Sequence, residues 1–200
     1  MESYDLQSVA ELLAGEYVVN SNRSVCVIVK SELYQRKKEN NIMFRTIRKK
    51  KNEISIDTAK ALLQSSRRGV LAVNGDDGYP YAIPINYVYD DDAQKIYFHG
   101  ARAGHKVDAL RACDKVCFTV YGNETIKEED WAPFVQSVVV FGRCHLVESG
   151  ARATTLLKRF AMKYYPSEQL VDEEIAHAGK AVQIFEIKVE HLSGKEIQER

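Results

Sequence analysis

The sequence has few of the residues that mark a disulfide-stabilised or membrane-spanning protein. Its 200 residues include only four cysteines, four prolines and 11 glycines. No two cysteines have C-x-x-C spacing, and their density is far below that of a disulfide scaffold. The longest apolar run in the N-terminal region, 25–29, is much shorter than the roughly 20 residues that span a bilayer. We therefore expect a protein of a reducing, cytoplasmic compartment with no membrane partner.

Net charge of one sign is also absent. The 28 Lys and Arg residues balance 28 Asp and Glu residues, so the chain has no general attraction for phosphate backbones or anionic lipid. We expect no nucleic-acid partner. Apolar residues make up 45% of the chain, which at this length excludes general disorder and allows one domain, or one domain with a tail, to bury a sizeable core.

The first 42 residues differ from the rest of the chain. They contain a short amphipathic stretch, one apolar run over 25–29 and a charged run over 36–39, which is too little to hold a core alone. We assign 1–42 as an N-terminal appendage of unknown role and 43–200 as the folded domain. Whether Met43 is the true translation start stays open.

Hydrophobic periodicity after Met43 predicts a mainly β domain. Apolar residues at helical spacing indicate helices over 57–66, 104–113, 156–165 and 168–178, the first with Asp57 as its N-cap. Apolar runs bounded by turn residues indicate six strands, over 69–73, 81–89, 95–99, 116–121, 136–147 and 181–189. Strands joined by hairpins favour an antiparallel barrel with peripheral helices. Pro84, inside a predicted strand, is expected at an edge or a bulge.

The segment 96–106 runs from a strand through a glycine-containing turn into a helix. Small residues let backbone N–H groups approach an anion, the helix N-terminus carries partial positive charge, and Lys106 adds a full charge. It is not a nucleotide P-loop, because His105 and Val107 replace the glycine and the hydroxyl of that motif. Two interpretations stay open, a phosphate-binding turn and an ordinary strand-to-helix connection.

Metal and hydrolase chemistry have little support. His99 and His105 flank this turn, but no acidic residue completes H-E-x-x-H or similar spacing, and we expect no metal site. Cys117 and Cys144 lie in apolar strands and are expected in the core. The sequence contains no G-x-S-x-G motif.

Four ordered blocks resemble one known family. They cover 69–72, 78–89, 96–106 and 137–143, and they are similar to the pyridoxamine-phosphate-oxidase-like, FMN-binding split-barrel family, specifically its Nim-type nitroimidazole-resistance branch. The resemblance covers about 43–190. It implies a six-stranded antiparallel split β-barrel of Greek-key type with peripheral helices.

The resemblance also implies a binding site, because in that family FMN lies at the interface of a homodimer. The strand that would run along the isoalloxazine ring contains Pro84, Ile85, Asn86 and Tyr87. The residues that would hold the ribityl chain and the phosphate, with Lys106 as the principal charge partner, are Phe98, His99, Gly100, Ala101, Gly104, His105 and Lys106. The partner subunit would contribute Trp131, Ser137 and Val138.

The sequence departs from the oxidases that act on vitamin B6. Ile83 and Val88 stand where those enzymes have Arg and Lys, and no C-terminal Trp and Arg block is present. The resemblance therefore implies a nitroreductase-like, FMN-dependent oxidoreductase that acts on a small aromatic or nitro compound. His99 is the candidate catalytic residue, as a proton donor or a substrate-orienting group, because an ordinary histidine titrates near working pH. The alternative is that His99 only anchors the cofactor.

Two other functions and one assembly state follow from the same comparison. Two alternative functions stay open: a non-catalytic flavin-binding or flavin-sensing protein, and a haem-handling split-barrel protein. An open barrel with aromatic-rich strands would expose a large apolar patch, so we expect a homodimer.

Overall fold

The computed structural model describes residues 44–127, 129 and 132–198. The predicted appendage, 1–42, and Trp131 lie outside the described residues. All the helices and strands given below belong to the unit Thr46–Arg200.

The described chain forms one antiparallel sheet of seven strands with four α-helices. The strands are β1 Arg68–Asn74, β2 Pro80–Asn86, β3 Val88–Asp90, β4 Lys95–Gly100, β5 Lys115–Lys127, β6 Ala132–Leu146 and β7 Gln183–Gln198. The helices are α1 Ile56–Ser65, α2 His105–Ala112, α3 Ala151–Met162 and α4 Glu168–Ala178. The order of the strands in the sheet is β2-β1-β5-β6-β7-β4-β3. A mainly β domain with peripheral helices is thus confirmed.

The predicted number of strands in the split barrel, six, is not confirmed. The segment predicted as one strand over 81–89 is two strands, β2 and β3, which lie at opposite edges of the sheet and are separated only by Tyr87. The hydrogen-bonded sheet is therefore not closed. Tyr164, in the turn after α3, fills the break: the Tyr87 N–H donates to the Tyr164 hydroxyl (2.7 Å), and that hydroxyl donates to the Tyr87 carbonyl (2.6 Å).

The β1–β2 hairpin was correctly predicted. Gly75 donates its N–H to the Tyr79 carbonyl across the turn (2.9 Å), and the turn needs positive φ at Asp77 (53°) and Gly78 (81°), which Asp and Gly tolerate best. Pro84 lies on β2, which is an edge strand, and pairs with Val70 of β1. The edge position predicted for Pro84 is confirmed, since a residue without an N–H is tolerated there.

The core lies between the curved sheet and α1. This helix begins after Ser55, whose hydroxyl accepts from the Thr58 N–H (3.1 Å), so Ser55 and not Asp57 is its N-cap. Its buried face consists of Ala59, Leu62 and Leu63. The largest fully buried side chains of the sheet include Phe98, Phe118 and Phe185.

The C-terminal helices form a hairpin on the outside of the sheet. Pro166 separates α3 from α4, as predicted, and the Ser167 hydroxyl caps α4 by accepting from the Leu170 N–H (3.3 Å). Observed α3 begins five residues before the predicted helix and ends at Met162. None of the helices in the described part of the chain combines the length and the apolarity that crossing a bilayer requires.

Candidate functional site

Two strand edges separate near Tyr87 and leave a gap in the sheet. Among the described strands β2 pairs with β1 alone, and the pairing of β3 with β4 stops at Val88 opposite Tyr97. β2 and β4 still lie close together. We call this gap the split, bounded by Pro84–Asn86 on one side and by Phe98–Gly100 on the other. Because no described strand pairs with the backbone groups that face the split, those groups can hydrogen-bond a flat polar ring.

Lys106 lies at one end of the split, above the core. Its ammonium nitrogen is 5.3 Å from the centre of the Phe98 ring and 4.9 Å from that of Phe185, and these two rings stack at 4.7 Å. A Cβ atom on Gly100 would lie 2.6 Å from the same nitrogen. The glycine thus leaves the space that the ammonium occupies.

The charge of Lys106 has no carboxylate partner in the part of the chain that the structure describes. Burial lowers the pKa of Lys106, because a partly desolvated ammonium is less stable than one in water. A half-buried cation of this kind is suited to an anionic ligand, which would supply the missing countercharge.

The turn before α2 has the backbone geometry of an open helix N-terminus. Gly104 has φ 114° and offers no side-chain cap, while its carbonyl accepts from the Val107 N–H (2.8 Å). His105 is turned toward the β1–β2 hairpin, where its ring stacks on Tyr81 at 4.1 Å and its Nε2 lies 3.4 Å from an Asp76 carboxylate oxygen. Ala101 is exposed. Of the predicted residues of the turn, Gly100 and Lys106 are in contact and His105 faces away.

His99 lies on the opposite face of β4 from Phe98. Its ring meets Phe160 of α3 edge to face, with centroids 4.6 Å apart. Partial burial of the ring, and then the charge of Lys106, lower the pKa of His99. The lowered pKa favours the neutral imidazole, in which one nitrogen donates and the other accepts a hydrogen bond.

On the β2 side of the split, backbone groups are available to a ligand more than side chains are. Pro84 and Asn86 are exposed, and the Asn86 amide oxygen accepts from Nε of Arg68 (3.3 Å). Ile85 and Tyr87 are buried, and the Tyr87 hydroxyl donates to the Leu63 carbonyl (2.7 Å). Burial raises the pKa of Tyr87. The Tyr87 ring therefore belongs to the core, whereas the exposed residues Pro84 and Asn86 border the split.

Ser137 and Val138 are distant from this end of their own chain. Ser137 pairs with Lys195 on β7, whereas Gly100 pairs with Gln183. Twelve residues of extended strand span about 40 Å. Val138 is fully buried in its own core. The structure therefore does not bring these two residues to the split within one chain, and Trp131 is outside the described residues.

Phe160 and Tyr164 are site residues that the sequence did not indicate. They stack on each other with ring centroids 5.0 Å apart, at the i, i+4 spacing that places two side chains on one face. Phe160 contacts His99, and Tyr164 holds the backbone of Tyr87. The i, i+4 aromatic pair was visible in the sequence, but its contacts across the fold were not.

The fold is an unclosed antiparallel sheet with peripheral helices, and the half-buried Lys106 lies at one end of its split. A sequence model of the pyridoxamine 5'-phosphate oxidase family matches residues 55–196. The chain belongs to this family, which confirms the resemblance seen in the sequence. No curated protein matches the chain.

Solved structures show the same fold. A candidate 5-nitroimidazole antibiotic resistance protein from Bacteroides thetaiotaomicron aligns over 73% of this chain and 87% of its own, with TM-score 0.62 and 17% identity. A flavocytochrome from Azotobacter vinelandii aligns over 76% and 72%, with TM-score 0.62 and 21% identity. An FAD-binding protein from Mesorhizobium loti aligns over 72% and 96%, with TM-score 0.53 and 22% identity. At these identities the likeness concerns the fold alone.

Proposed function

We propose that the protein is an FMN-binding oxidoreductase of the nitroreductase-like kind, which passes electrons from a reductant to a small aromatic or nitro compound. The observation that carries this proposal is the Lys106 ammonium, a half-buried cation without a carboxylate partner at the end of the split. Family membership and the flavin-binding proteins among the structural neighbours support the same assignment.

The residues at the split fit a flavin phosphate. The Lys106 ammonium would take the phosphate, and the first N–H groups of α2 would add hydrogen bonds at the positive end of the helix. Gly100 keeps the space around the ammonium open. The backbone edge of Pro84–Asn86 would bond the polar rim of the ring. When bound, the flavin supplies the electron-transfer chemistry, and the protein supplies position and electrostatics.

His99 would hold a proton beside the acceptor. Its lowered pKa favours the neutral ring, so the imidazole can donate its N–H to a polar group of the acceptor without adding charge. Phe160 fixes the ring by its edge-to-face contact. The rival role, that His99 only anchors the cofactor, predicts loss of flavin affinity without a specific loss of turnover when His99 is replaced by Gln.

The homodimer is part of the same proposal. The dimer prediction assumed that the aromatic residues of the strands would form an exposed patch, namely Tyr81, Tyr87, Tyr89, Tyr97, Phe98 and Phe141. Four of them, Tyr87, Tyr89, Tyr97 and Phe98, are buried within one chain. Other large apolar side chains are exposed instead: Tyr79, Tyr121 and Ile126. The distance of Ser137 from Gly100 means that only a second copy would bring Ser137 to the split. Light scattering should give a dimer, and a stable monomer at micromolar concentration would contradict this part of the proposal.

The phosphate assignment is tested by titrating the flavin-free protein with FMN, FAD and riboflavin. In Lys106→Ala the loss of one charge-assisted contact, about 1.5–3 kcal/mol, should weaken FMN roughly ten- to a hundredfold. Riboflavin, which lacks the phosphate, should bind as in the wild type. Arg111→Ala is the control, because Arg111 is an exposed cation on the same helix that pairs with Asp108.

The outcomes of this titration separate the alternatives. Equal FMN affinity in Lys106→Ala and wild type would overturn the phosphate assignment. Tighter binding of FAD than of FMN would replace the proposed cofactor, and a Soret band in the purified protein would favour a haem-handling role. Anaerobic turnover of a nitroaromatic by the flavin-loaded protein separates an enzyme from a flavin sensor.

A further inference from the structure

Three cations lie around Tyr164, where β2 and β3 separate. Lys163 directly follows α3, Arg67 connects α1 to β1, and Arg68 begins β1. The Lys163 ammonium is 6.0 Å from the centre of the Tyr164 ring, and the Arg67 guanidinium carbon is 5.2 Å from it. Burial raises the pKa of Tyr164, and the charges of Arg67 and Arg68 oppose this, which places both guanidinium groups near the hydroxyl. We call Arg67, Arg68 and Lys163 the Tyr164 cation cluster.

The contacts of the Tyr164 cation cluster are with neutral groups. The Lys163 ammonium donates to the Ser66 carbonyl (2.7 Å) and lies 4.5 Å from the centre of the Tyr87 ring. Nε of Arg68 donates to the Asn86 amide oxygen (3.3 Å). Arg67 and Arg68 are exposed, whereas Lys163 is half-buried.

Other cations of the same helices have carboxylate partners. Lys60 of α1 pairs with Asp91 (2.8 Å), and Arg159 of α3 pairs with Asp90. Within the described residues, no carboxylate forms an ion pair with any member of the Tyr164 cation cluster. The cluster is therefore a local surplus of positive charge in a chain whose formal net charge is zero.

The C-terminal end of α1 offsets only part of this surplus. Ser66 is the C-cap of α1, so the Lys163 ammonium binds a carbonyl at the negative end of the helix dipole. That end is equivalent to about half an elementary charge, against three full positive charges, which leaves a surplus of roughly 2.5. A phosphate monoester, with about −1.5 to −2 charges at pH 7, matches this surplus better than a carboxylate does.

The protein environment disfavours the charge on Lys163. Burial lowers the pKa of Lys163 to about 8, and the charge of Arg67 lowers it further. Arg68, Tyr87 and Tyr164 are the other titratable groups around it, and burial raises the pKa of both tyrosines, which keeps them neutral. No group among these supplies a negative charge, so a bound anion would stabilise the ammonium.

We propose that the Tyr164 cation cluster binds the phosphate group of a small phosphate monoester or of free phosphate, with Arg67, Arg68 and Lys163 as its charge partners. A guanidinium group can donate two parallel hydrogen bonds to a phosphate. Arg68 contacts Asn86 on the border of the split, whereas Lys106 lies at the Gly100 end. The cluster is thus a second anion site, which goes beyond the proposed function and does not require a flavin.

The test titrates the full chain with three probes by calorimetry at pH 8, with and without saturating FMN. Phenyl phosphate is an organic monoester, inorganic phosphate is the free ion, and benzoate is an aromatic carboxylate. We expect phenyl phosphate to bind roughly tenfold more tightly than benzoate in both conditions. Tighter binding of phenyl phosphate than of inorganic phosphate assigns the site to an organic monoester, and equal affinities assign it to the free ion.

Two lysines near α3 supply a matched pair of variants. Lys163→Met should weaken phenyl phosphate roughly tenfold or more. Lys158→Met is the control, because Lys158 already pairs with Glu168 and Asp172, and it should bind the probe as the wild type does. If Lys163→Met fails to fold, the double variant Arg67→Gln with Arg68→Gln gives the same reading, since both side chains are exposed.

Proton uptake gives a second readout that a purely structural role of Lys163 would not produce. A bound dianion should raise the pKa of Lys163 from about 8, so binding at pH 8 should take up as much as about half a proton. The probe takes up none itself, because its second pKa is about 6. Calorimetry in two buffers of different ionisation enthalpy measures the uptake, and Lys163→Met should abolish it.

Several results would overturn the proposal. These are equal phenyl phosphate affinity in the wild type and the cluster variants, an equal loss in Lys158→Met, or tighter binding of benzoate than of phenyl phosphate. Loss of phenyl phosphate binding in Lys106→Ala but not in the cluster variants would also overturn it. A failure of the proposed function looks different. If the chain binds no FMN but phenyl phosphate binding still depends on Lys163, the cluster stands and the flavin assignment falls.

Discussion

The two faces of the end of β4 differ in charge and in what they can hold. On one face, Phe98 and Gly100 support an ammonium without a carboxylate partner among the described residues. On the other, His99 has a lowered pKa that favours its neutral form, and it faces an apolar cavity. Because successive residues of a strand point to opposite faces, three consecutive residues separate a face that carries an ammonium from a face that borders an apolar cavity.

The largest expected effect comes from removing the support of the charged face. Phe98 is fully buried and stacks on Phe185 at 4.7 Å. Phe98→Ala should lower the free energy of unfolding by about 3–5 kcal/mol, because it leaves a cavity in the core. Chemical denaturation measures this loss. Ala101→Gly, at an exposed position of the same segment, is the control, and a loss below 1 kcal/mol in Phe98→Ala would show that the stack contributes little.

The second-largest effect concerns Tyr164, whose hydroxyl hydrogen-bonds the Tyr87 backbone where β2 and β3 separate. Tyr164→Phe removes the hydroxyl that bonds the N–H and the carbonyl of Tyr87. Unpartnered buried backbone groups cost about 1–3 kcal/mol, so the midpoint of denaturation should fall. Tyr165→Phe is a matched control, since Tyr165 is exposed. Unchanged amide exchange at Tyr87 in Tyr164→Phe would show that the hydroxyl does not hold this junction.

A smaller effect should be confined to the face of β4 on which Gly100 contacts the Lys106 ammonium. In Gly100→Ala the new methyl group would lie 2.6 Å from the Lys106 nitrogen, so the flexible lysine must move while the fold is kept. FMN affinity should drop about tenfold, or about 1.4 kcal/mol, with the melting temperature unchanged.

A double-mutant cycle sharpens this reading. If Gly100→Ala acts by displacing the ammonium, it should weaken FMN no further in a Lys106→Ala background. Additive losses in the double variant would instead place the effect of Gly100 on the backbone of the split.

The smallest effect is the pH dependence that arises from His99. Its pKa is lowered in the folded state, so the unfolded chain binds the proton more readily. The stability that the neutral ring contributes is present above the ordinary histidine pKa of about 6.5 and is lost as the pH falls through the lowered folded value. His99→Gln should therefore give a shallower decline in unfolding free energy on acidification. If the unfolding free energy fell equally steeply with pH in both proteins, the His99 ring would have the same pKa in the folded and the unfolded chain.

The sequence predicted local features better than distant ones. The hairpin between β1 and β2, the edge position of Pro84 and the separation of α3 from α4 all depend on Gly, Asp and Pro preferences within a few residues. The break at Tyr87 was missed because the apolar pattern over 81–89 runs through it without interruption. Tyr164, which fills the break, lies 77 residues further along the chain.

Strand ends were also poorly predicted, for a related reason. β6 begins at Ala132 and β7 runs to Gln198, beyond the predicted strands 136–147 and 181–189. Both ends continue the ladder between the two strands, from Phe134 opposite Gln198 onward. In the site, the glycine-containing turn and Lys106 were indicated by local chemistry. The cavity between α3, α4 and the end of β4 was not indicated, because its walls come from three elements that meet only in the folded chain.

The proline on β2 also bears on solubility. A sheet that is not closed keeps two strand edges, and exposed edges can pair with strands of other copies and start aggregation. At Pro84 the edge lacks an N–H, which interrupts any incoming ladder near the middle of the strand. A residue at the border of the split therefore disfavours growth of the unclosed sheet into an extended intermolecular sheet.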